Sequence, residues 1–495
     1  MFVRLQGTGP VSQRIYRGLR SAIVRGLLRP GSRLLSSRSL AQELAVSRKA
    51  VARAFERLAD EGYITSRVGA GTFVSTTLPE TILTFTPEPS PGFRPGKRMV
   101  PNFSAQAKRL LDQSPWPPPA SRAFRAPLKY DFHYGTPALM DFPQTVWARL
   151  IAEQARKLSV TTLYYGSTTG YDPLRQAVAD YIRRYRGVNA KDACVVIVNG
   201  SQQAMDILIR LFVNPGDRAV IEEPGYQCVR QALVAAGARV IPVPVDNAGL
   251  DTSRLPRLKG IRLAYVTPSH QFPLGGILPP ERRLALLRWA RETDAYVIED
   301  DYDSEFRYDH PPVEAMQALD ADGRVIYVGT FSKVLCPGMR IGYIVVPPCL
   351  LQPIASFKFL TDFSTPTFEQ AVLAEFIKAG HFERHLRKLR LRNARRREVL
   401  VQALNQHLGV RAQIAGANAG VHVVVWLDDL SADDIPELCR RAAQVGVGVY
   451  PVTPYYLCRP QRAAIMLGYA SLTENEIRKA VMLLREVLDE MVRQH

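Results

Sequence analysis

Residues 77–128 carry 11 of the chain's 36 prolines, most of them in TPEPSPGFRPG and SPWPPP. Proline removes a backbone donor and favours extended chain, so one continuous core cannot run through this stretch. It is expected to be a semi-rigid linker that tethers two folded units. The chain is 495 residues long, 46% apolar and 22% charged, which excludes a disordered or fibrous protein and leaves room for two to four cores.

The same linker divides the charge. Lys plus Arg exceeds Asp plus Glu by 18, and 13 of those basic residues lie in the first 75 positions against only Glu43, Glu56, Asp60 and Glu61. Half of the excess therefore sits in under a sixth of the chain, and a polyanionic partner is expected for that part. No window approaches the ~18 apolar residues that a membrane-spanning helix needs, and MFVRLQGTGP lacks the apolar core of an export signal, so a cytoplasmic protein is expected. Cys194, Cys228, Cys336, Cys349, Cys439 and Cys458 show neither CxxC nor Cys/His spacing. Neither disulfides nor a metal site is expected.

Residues 1–76 read as a winged helix-turn-helix. In SSRSLAQELAVSRKAVARAFERLADEGYI, Ser37 can cap a helix that turns Leu40, Ala41 and Leu44 inward; after a turn at Ala45-Val46, Ser47 caps a second helix burying Val51, Ala54, Phe55 and Leu58. The polar face of that second helix carries Arg48, Lys49, Arg53 and Arg57. A recognition helix reaches base edges with its first turns, so basic residues there suit major-groove docking. GYITSRVGAGTFV follows as a hairpin able to lie along the DNA backbone, with Arg67 near its base. A solvated basic helix pair is the alternative. From IYRGLRSAIVRGLLRPGSRL through GAGTFV this unit resembles the GntR family of bacterial regulators. The resemblance implies DNA contacts from Arg38, Arg48, Lys49 and the wing at Gly69. Where family members often place a further basic residue, this chain has Ala52 with Arg53 beside it.

Beyond the linker, short apolar runs alternate with helical stretches, the pattern of an α/β sheet with crossover helices. CVVIV (194–198), RAVIE (218–222), RVIPV (239–243), RLAYV (262–266), AYVIE (295–299), VIYVG (325–329) and GYIVV (342–346) predict seven strands of one mostly parallel sheet in a large domain, 129–366. Residues 367–495 predict a long helix and a small α+β lobe.

Pyridoxal phosphate (PLP) needs an imine-forming amine, an acid at its ring nitrogen, a phosphate cradle and a flat neighbour for its ring. Each has a candidate at the carboxyl end of a predicted strand, where open α/β sheets place ligands. Lys333, in VGTFSKVLCPGMRIG, is the candidate amine, with burial and Arg340 lowering its pKa. Asp300, closing AYVIED, is the acid, and Tyr302 is placed to hold the ring's 3-oxygen; Asp301, Asp303 and Glu305 read as an acidic surface loop. The amides of Ser201 and Gln202 in NGSQQAM open a helix and suit a phosphate, helped by Arg340 and by Ser332 or Thr330; Tyr226 in EEPGYQ is the aromatic neighbour.

In this order, YYGSTTGYDPLR, NGSQQA, EEPGY, TPSHQFPLGG, EDDYDSEF and FSKVLCPGMRIGY make the body resemble fold-type-I aminotransferases of the aspartate aminotransferase superfamily. That resemblance implies a homodimer in which Tyr165 reaches the coenzyme phosphate of the opposite subunit, and an effector carboxylate bound by Arg462, or else by Arg459. Phe272 stands where the enzymes usually carry an asparagine that helps hold the 3-oxygen. The whole chain resembles the MocR (GabR-type) regulators. A transcription factor is therefore expected that senses a small amino compound through an external aldimine and binds an operator of paired half-sites. The alternative is a working aminotransferase with an appended DNA-binding unit; a sensor of the coenzyme itself is a weaker third reading. HFERHLRKLRLRNARRREVL packs eight Lys/Arg into residues 384–397, either a solvated helix face over Leu386, Leu389 and Val399 or Leu400, or a second phosphate-contacting surface.

Overall fold

A computed structural model describes residues 9–67, 70–78, 101–113, 128–191, 194–308, 313–458 and 460–494. The chain forms two compact units, Met1–Pro101 and Asn102–His495.

The first unit packs the helices Val11–Val24, Ser37–Glu43 and Arg48–Asp60 around Ile15, Leu19, Leu40, Val51, Ala54 and Leu58. The antiparallel hairpin Ile64–Arg67 and Gly71–Val74 closes that core through Ile64 and Val74. Ser47 caps its helix by accepting from the Ala50 amide at 3.2 Å. The preceding helix is capped one residue earlier than expected: Ser36, not Ser37, accepts from the Ser39 amide at 3.1 Å, because Ser36 holds the extended backbone a cap requires. Ala45 makes the sharp turn in left-handed conformation (φ 52°). Arg67 departs from expectation as well. It pairs with Gly71 in the last rung before the hairpin loop, so it stands at the tip of the wing and not at its base.

The second unit carries an eight-stranded sheet. Its spatial order is Val195–Val198, Gly342–Val345, Val325–Thr330, Tyr296–Asp301, Ile261–Val266, Arg218–Glu223, Arg239–Asp246 and Gly249–Leu250. The first seven are the strands expected from sequence; the eighth is a two-residue hairpin partner. Gly342–Val345 runs antiparallel to both neighbours, and the main strands between it and Arg239–Asp246 are parallel. Arg239–Asp246 is largely uncovered, unlike the other six. Apolar side chains bury both faces, which is why the central strands read as continuous Val/Ile runs.

The small lobe holds a four-stranded sheet ordered Ala412–Ala415, His422–Ser431, Arg462–Gly468, Tyr450–Pro451, backed by the helices His381–His407, Ile435–Gln444 and Glu474–Gln494. Gly380 (φ 67°) separates His381–His407 from Thr367–Lys378, so the long run expected from sequence is two helices. Within the Pro-rich stretch, Ala105–Gln113 is helical, and Arg109 donates to the Ala235 carbonyl at 2.9 Å. No helix among the described residues is long and apolar enough to cross a membrane.

Candidate functional site

Asp300 and Lys333 come together because their strands are neighbours: Val328 lies opposite Asp300 in parallel register, and the chain leaves the sheet at Thr330, three residues before the lysine. The Lys333 amine donates to the Gly135 carbonyl at 2.8 Å. Burial, aided by Arg340, lowers its pKa against the pull of Asp303 and Asp300. Asp300 is 5% exposed. Its Oδ2 accepts from the Tyr265 hydroxyl at 2.7 Å, while its Oδ1 has no hydrogen-bond partner. Burial pushes this carboxyl up to about 7. A buried, unpartnered carboxylate oxygen is costly, and a protonated ring nitrogen would satisfy it.

The turn before the helix Ser201–Phe212 is the expected phosphate cradle. Gly200 takes φ 78°, and a Cβ there would lie 2.7 Å from Arg340 Nη2, so only glycine lets the guanidinium close over the helix start. Arg340 also donates to the Asn199 carbonyl at 3.1 Å. Ser332 adds its hydroxyl, 3.1 Å from Thr330 Oγ1. Tyr226 precedes the helix Gln227–Ala236 and meets Phe272 edge-on at 5.8 Å, with Tyr265 at 6.5 Å. An amine, an orphaned acid, a glycine turn at a helix start under Arg340 and an aromatic thus gather at the carboxyl ends of neighbouring strands, and the residues present fit pyridoxal phosphate.

Several groups differ from expectation. The acidic loop is not on the surface. Asp301 is buried and takes Arg186 at 2.8 Å and the Tyr327 hydroxyl at 2.5 Å; Asp303 is buried against His270 at 3.0 Å; Glu305 accepts from Tyr181 at 3.1 Å. Their carboxylates stay inside because partners from distant segments meet them there. Tyr302 stays beside Asp300, its hydroxyl 3.0 Å from His270 Nδ1. Arg462 is not brought to the pocket. Its side chain, 51% exposed, pairs with Asp428 at 3.0 Å and lies over Trp426 at 4.9 Å on the small lobe. Arg459 and Gly69 lie outside the described residues. Tyr165 is exposed and stacks on Phe363 at 5.6 Å.

Three groups were not singled out from sequence. Tyr265 holds Asp300. Lys358, fully buried, pairs with Asp362 at 2.8 Å, and Asp362 takes the side-chain amides of Asn199 (2.6 Å) and Gln203 (2.8 Å), buttressing the cradle from behind. His270 lies in the quoted TPSHQF, but nothing local signals its burial. On the head, Arg38, Arg48, Lys49, Arg53 and Arg67 are all exposed, whereas Arg57 turns back to Glu61 and the Tyr16 ring.

Comparison with known proteins gives two family matches: bacterial regulatory proteins, gntR family, over residues 11–74, and aminotransferase class I and II over residues 135–484. The chain is 38% identical to the probable rhizopine catabolism regulatory protein MocR of Rhizobium meliloti over 96% of its own length and 93% of that protein's. It is 30% identical to the pyridoxine biosynthesis transcriptional regulator PdxR of Corynebacterium glutamicum, covering 93% and 92%. Among solved structures it resembles the α-aminoadipate aminotransferase LysN of Thermus thermophilus, complexed with N-(5'-phosphopyridoxyl)-L-leucine. That likeness has 29% identity and a TM-score of 0.71 over 79% of this chain and 98% of that one. With a gntR-family head and an aminotransferase class I and II body that carries the pyridoxal-phosphate pocket, matched along nearly its whole length by MocR, the chain belongs to the MocR-type transcriptional regulators.

Proposed function

We propose that this regulator works in the cytoplasm as a homodimer, binds an operator of paired half-sites through its two heads, and changes that binding when a small amino compound enters the pocket of Lys333. When bound there, pyridoxal phosphate supplies an electrophilic carbonyl carbon and an electron-withdrawing ring. The chain supplies the rest. Lys333, kept neutral more easily by burial, presents a nucleophilic amine. Asp300, with its unpartnered Oδ1, would take the proton-bearing ring nitrogen. Arg340, Ser332 and the amides of Ser201 and Gln202 would hold the phosphate, Tyr226 would serve as the aromatic neighbour of the ring, and Tyr302 would donate to an oxygen. An incoming amine competes with Lys333. It switches DNA binding only if it binds two arrangements of the body with different affinity.

The observation that carries this function is the unpartnered Oδ1 of Asp300, buried near a lysine amine in a chain whose other unit presents a basic recognition helix. The test is a titration of the full-length protein onto its own upstream DNA, with and without a panel of amino acids, amino sugars and simple amines. At least one amine is expected to change the affinity, and Lys333→Ala to abolish that change while still binding DNA. A DNA affinity indifferent to the whole panel, or a response that survives Lys333→Ala, overturns the proposal.

A further inference from the structure

His270 is buried in the loop after the strand Ile261–Val266, and the functions assigned above leave it unused. Its Nδ1 lies 3.0 Å from Asp303 Oδ2 and 3.0 Å from the Tyr302 hydroxyl, while its Nε2 is buried without a partner. One ring nitrogen cannot both donate to the carboxylate and accept from the phenol. With the proton on Nε2, a buried N–H would lack an acceptor and the Nδ1 lone pair would face a carboxylate oxygen. Both are unfavourable. A doubly protonated ring would orphan the same Nε2–H. With the proton on Nδ1 alone, Asp303 and Tyr302 both accept from it, and only a bare lone pair is left at Nε2. The hydroxyl oxygen of Tyr302 is then occupied, and its own proton is free to point away from His270.

The ring is held in place from two sides. A Cβ at Gly275 would lie 3.0 Å from Nε2, and Gly420, in left-handed backbone, packs against the Cε1–Nδ1 edge. The charged groups that act on Tyr302 are Asp303, Asp300, Glu222 and Asp301, and the His422 ring stands 5.2 Å from that of His270. Phe272, where the enzymes usually have asparagine, meets the Tyr302 ring at 6.0 Å but brings no donor.

We infer that His270, held by Asp303, is a positioning residue that fixes Tyr302 as a hydrogen-bond donor into the coenzyme pocket, and so selects a ligand with an anionic oxygen at that point, the 3-oxygen of pyridoxal phosphate. The inference rests on the coenzyme reading above and deepens it. A donor to that oxygen favours the more negative, deprotonated form of the bound chromophore, so losing the donor raises the pH of its colour transition.

The experiment measures the midpoint of that transition and the coenzyme dissociation constant in the full chain, for wild type, His270→Phe, His270→Asn, Asp303→Asn, Tyr302→Phe and the double variant His270→Phe/Tyr302→Phe. His270→Phe and Asp303→Asn are expected to raise the midpoint by about one pH unit and to weaken coenzyme binding about tenfold. His270→Asn, which keeps an N–H near the place of Nδ1, recovers most of both. The double variant is no worse than Tyr302→Phe alone, because the two residues act as one unit. The analogue 3-O-methylpyridoxal 5'-phosphate, which has no anionic oxygen there, binds wild type and His270→Phe alike. Coloured His270→Phe and Asp303→Asn proteins with an unmoved midpoint, or additive losses in the double variant, overturn the inference and leave the coenzyme reading standing. A wild type that takes up no coenzyme overturns both.

Discussion

Burial pushes Asp300, Glu222 and Glu305 each to about 7 in the coenzyme-free protein. A carboxyl raised in this way holds a proton in the folded state that the unfolded chain has already released near pH ~4. Its stabilising effect is complete below the unfolded value and is lost as pH rises through about 7. The coenzyme-free protein is therefore expected to melt at a lower temperature at pH 8 than at pH 5. Asp300→Asn, which stays neutral throughout, is expected to lose less over the same interval, by up to a few kcal/mol; equal losses in the two proteins would refute the buried, proton-holding Asp300. The same variant is expected to bind pyridoxal phosphate at least tenfold more weakly, read by absorbance titration. Lys333 and Asp300 were legible in the sequence because one follows and the other closes a strand that reads as a buried apolar run, and in a parallel sheet such ends converge. Asp303 and His270 were not, since their burial depends on the segment around Gly420, more than a hundred residues away.

The recognition helix Arg48–Asp60 shows what an element adds to its residues. Its inward face, Val51, Ala54 and Leu58, fixes it against Val11–Val24, so Arg48, Lys49 and Arg53 are left exposed at its first turns. Arg48→Ala is expected to weaken operator binding and, if Arg48 meets a phosphate, to reduce the salt slope of log affinity by about 1; an unchanged affinity and slope would remove Arg48 from the interface. Ser47→Ala removes the cap of the same helix and is expected to cost the head about 1 kcal/mol in thermal unfolding. Caps and period made these helices legible. The helix Ala105–Gln113 was not: Ser104 caps it, accepting from the Ala107 amide at 3.1 Å, but that local signal is surrounded by prolines. In the basic stretch 384–397 the apolar stripe Leu386, Leu389, Val399 and Leu400 is buried as expected, and part of the charge is used internally. Arg390 and Arg397 donate to the carbonyls of Glu305 and Ala417, and Arg392 and Arg396 pair with Asp141. Arg384, Arg387, Lys388 and Arg395 stay exposed.

At the scale of the whole molecule, one surface of the body gathers exposed apolar side chains. Leu163, Tyr164 and Tyr165 are all more than two-thirds exposed, and Phe359, Leu360 and Phe363 stand out beside them, with Tyr165 stacked on Phe363. So many large apolar side chains together are costly to leave in water, and a twofold dimer covers the same patch on both copies at once. The helix that presents Phe359 and Leu360 also carries Lys358 and Asp362, which brace the Asn199–Gln203 turn. Leu360, 78% exposed, can be changed without opening a cavity inside the subunit. If the proposed homodimer uses this face, Leu360→Asp is expected to sediment as a monomer at micromolar concentration, and to lose affinity for an operator of two half-sites far more than for a single half-site, because the second head is no longer tethered. Should Leu360→Asp sediment as the wild type does and keep its preference for the paired operator, this face is not a dimer interface.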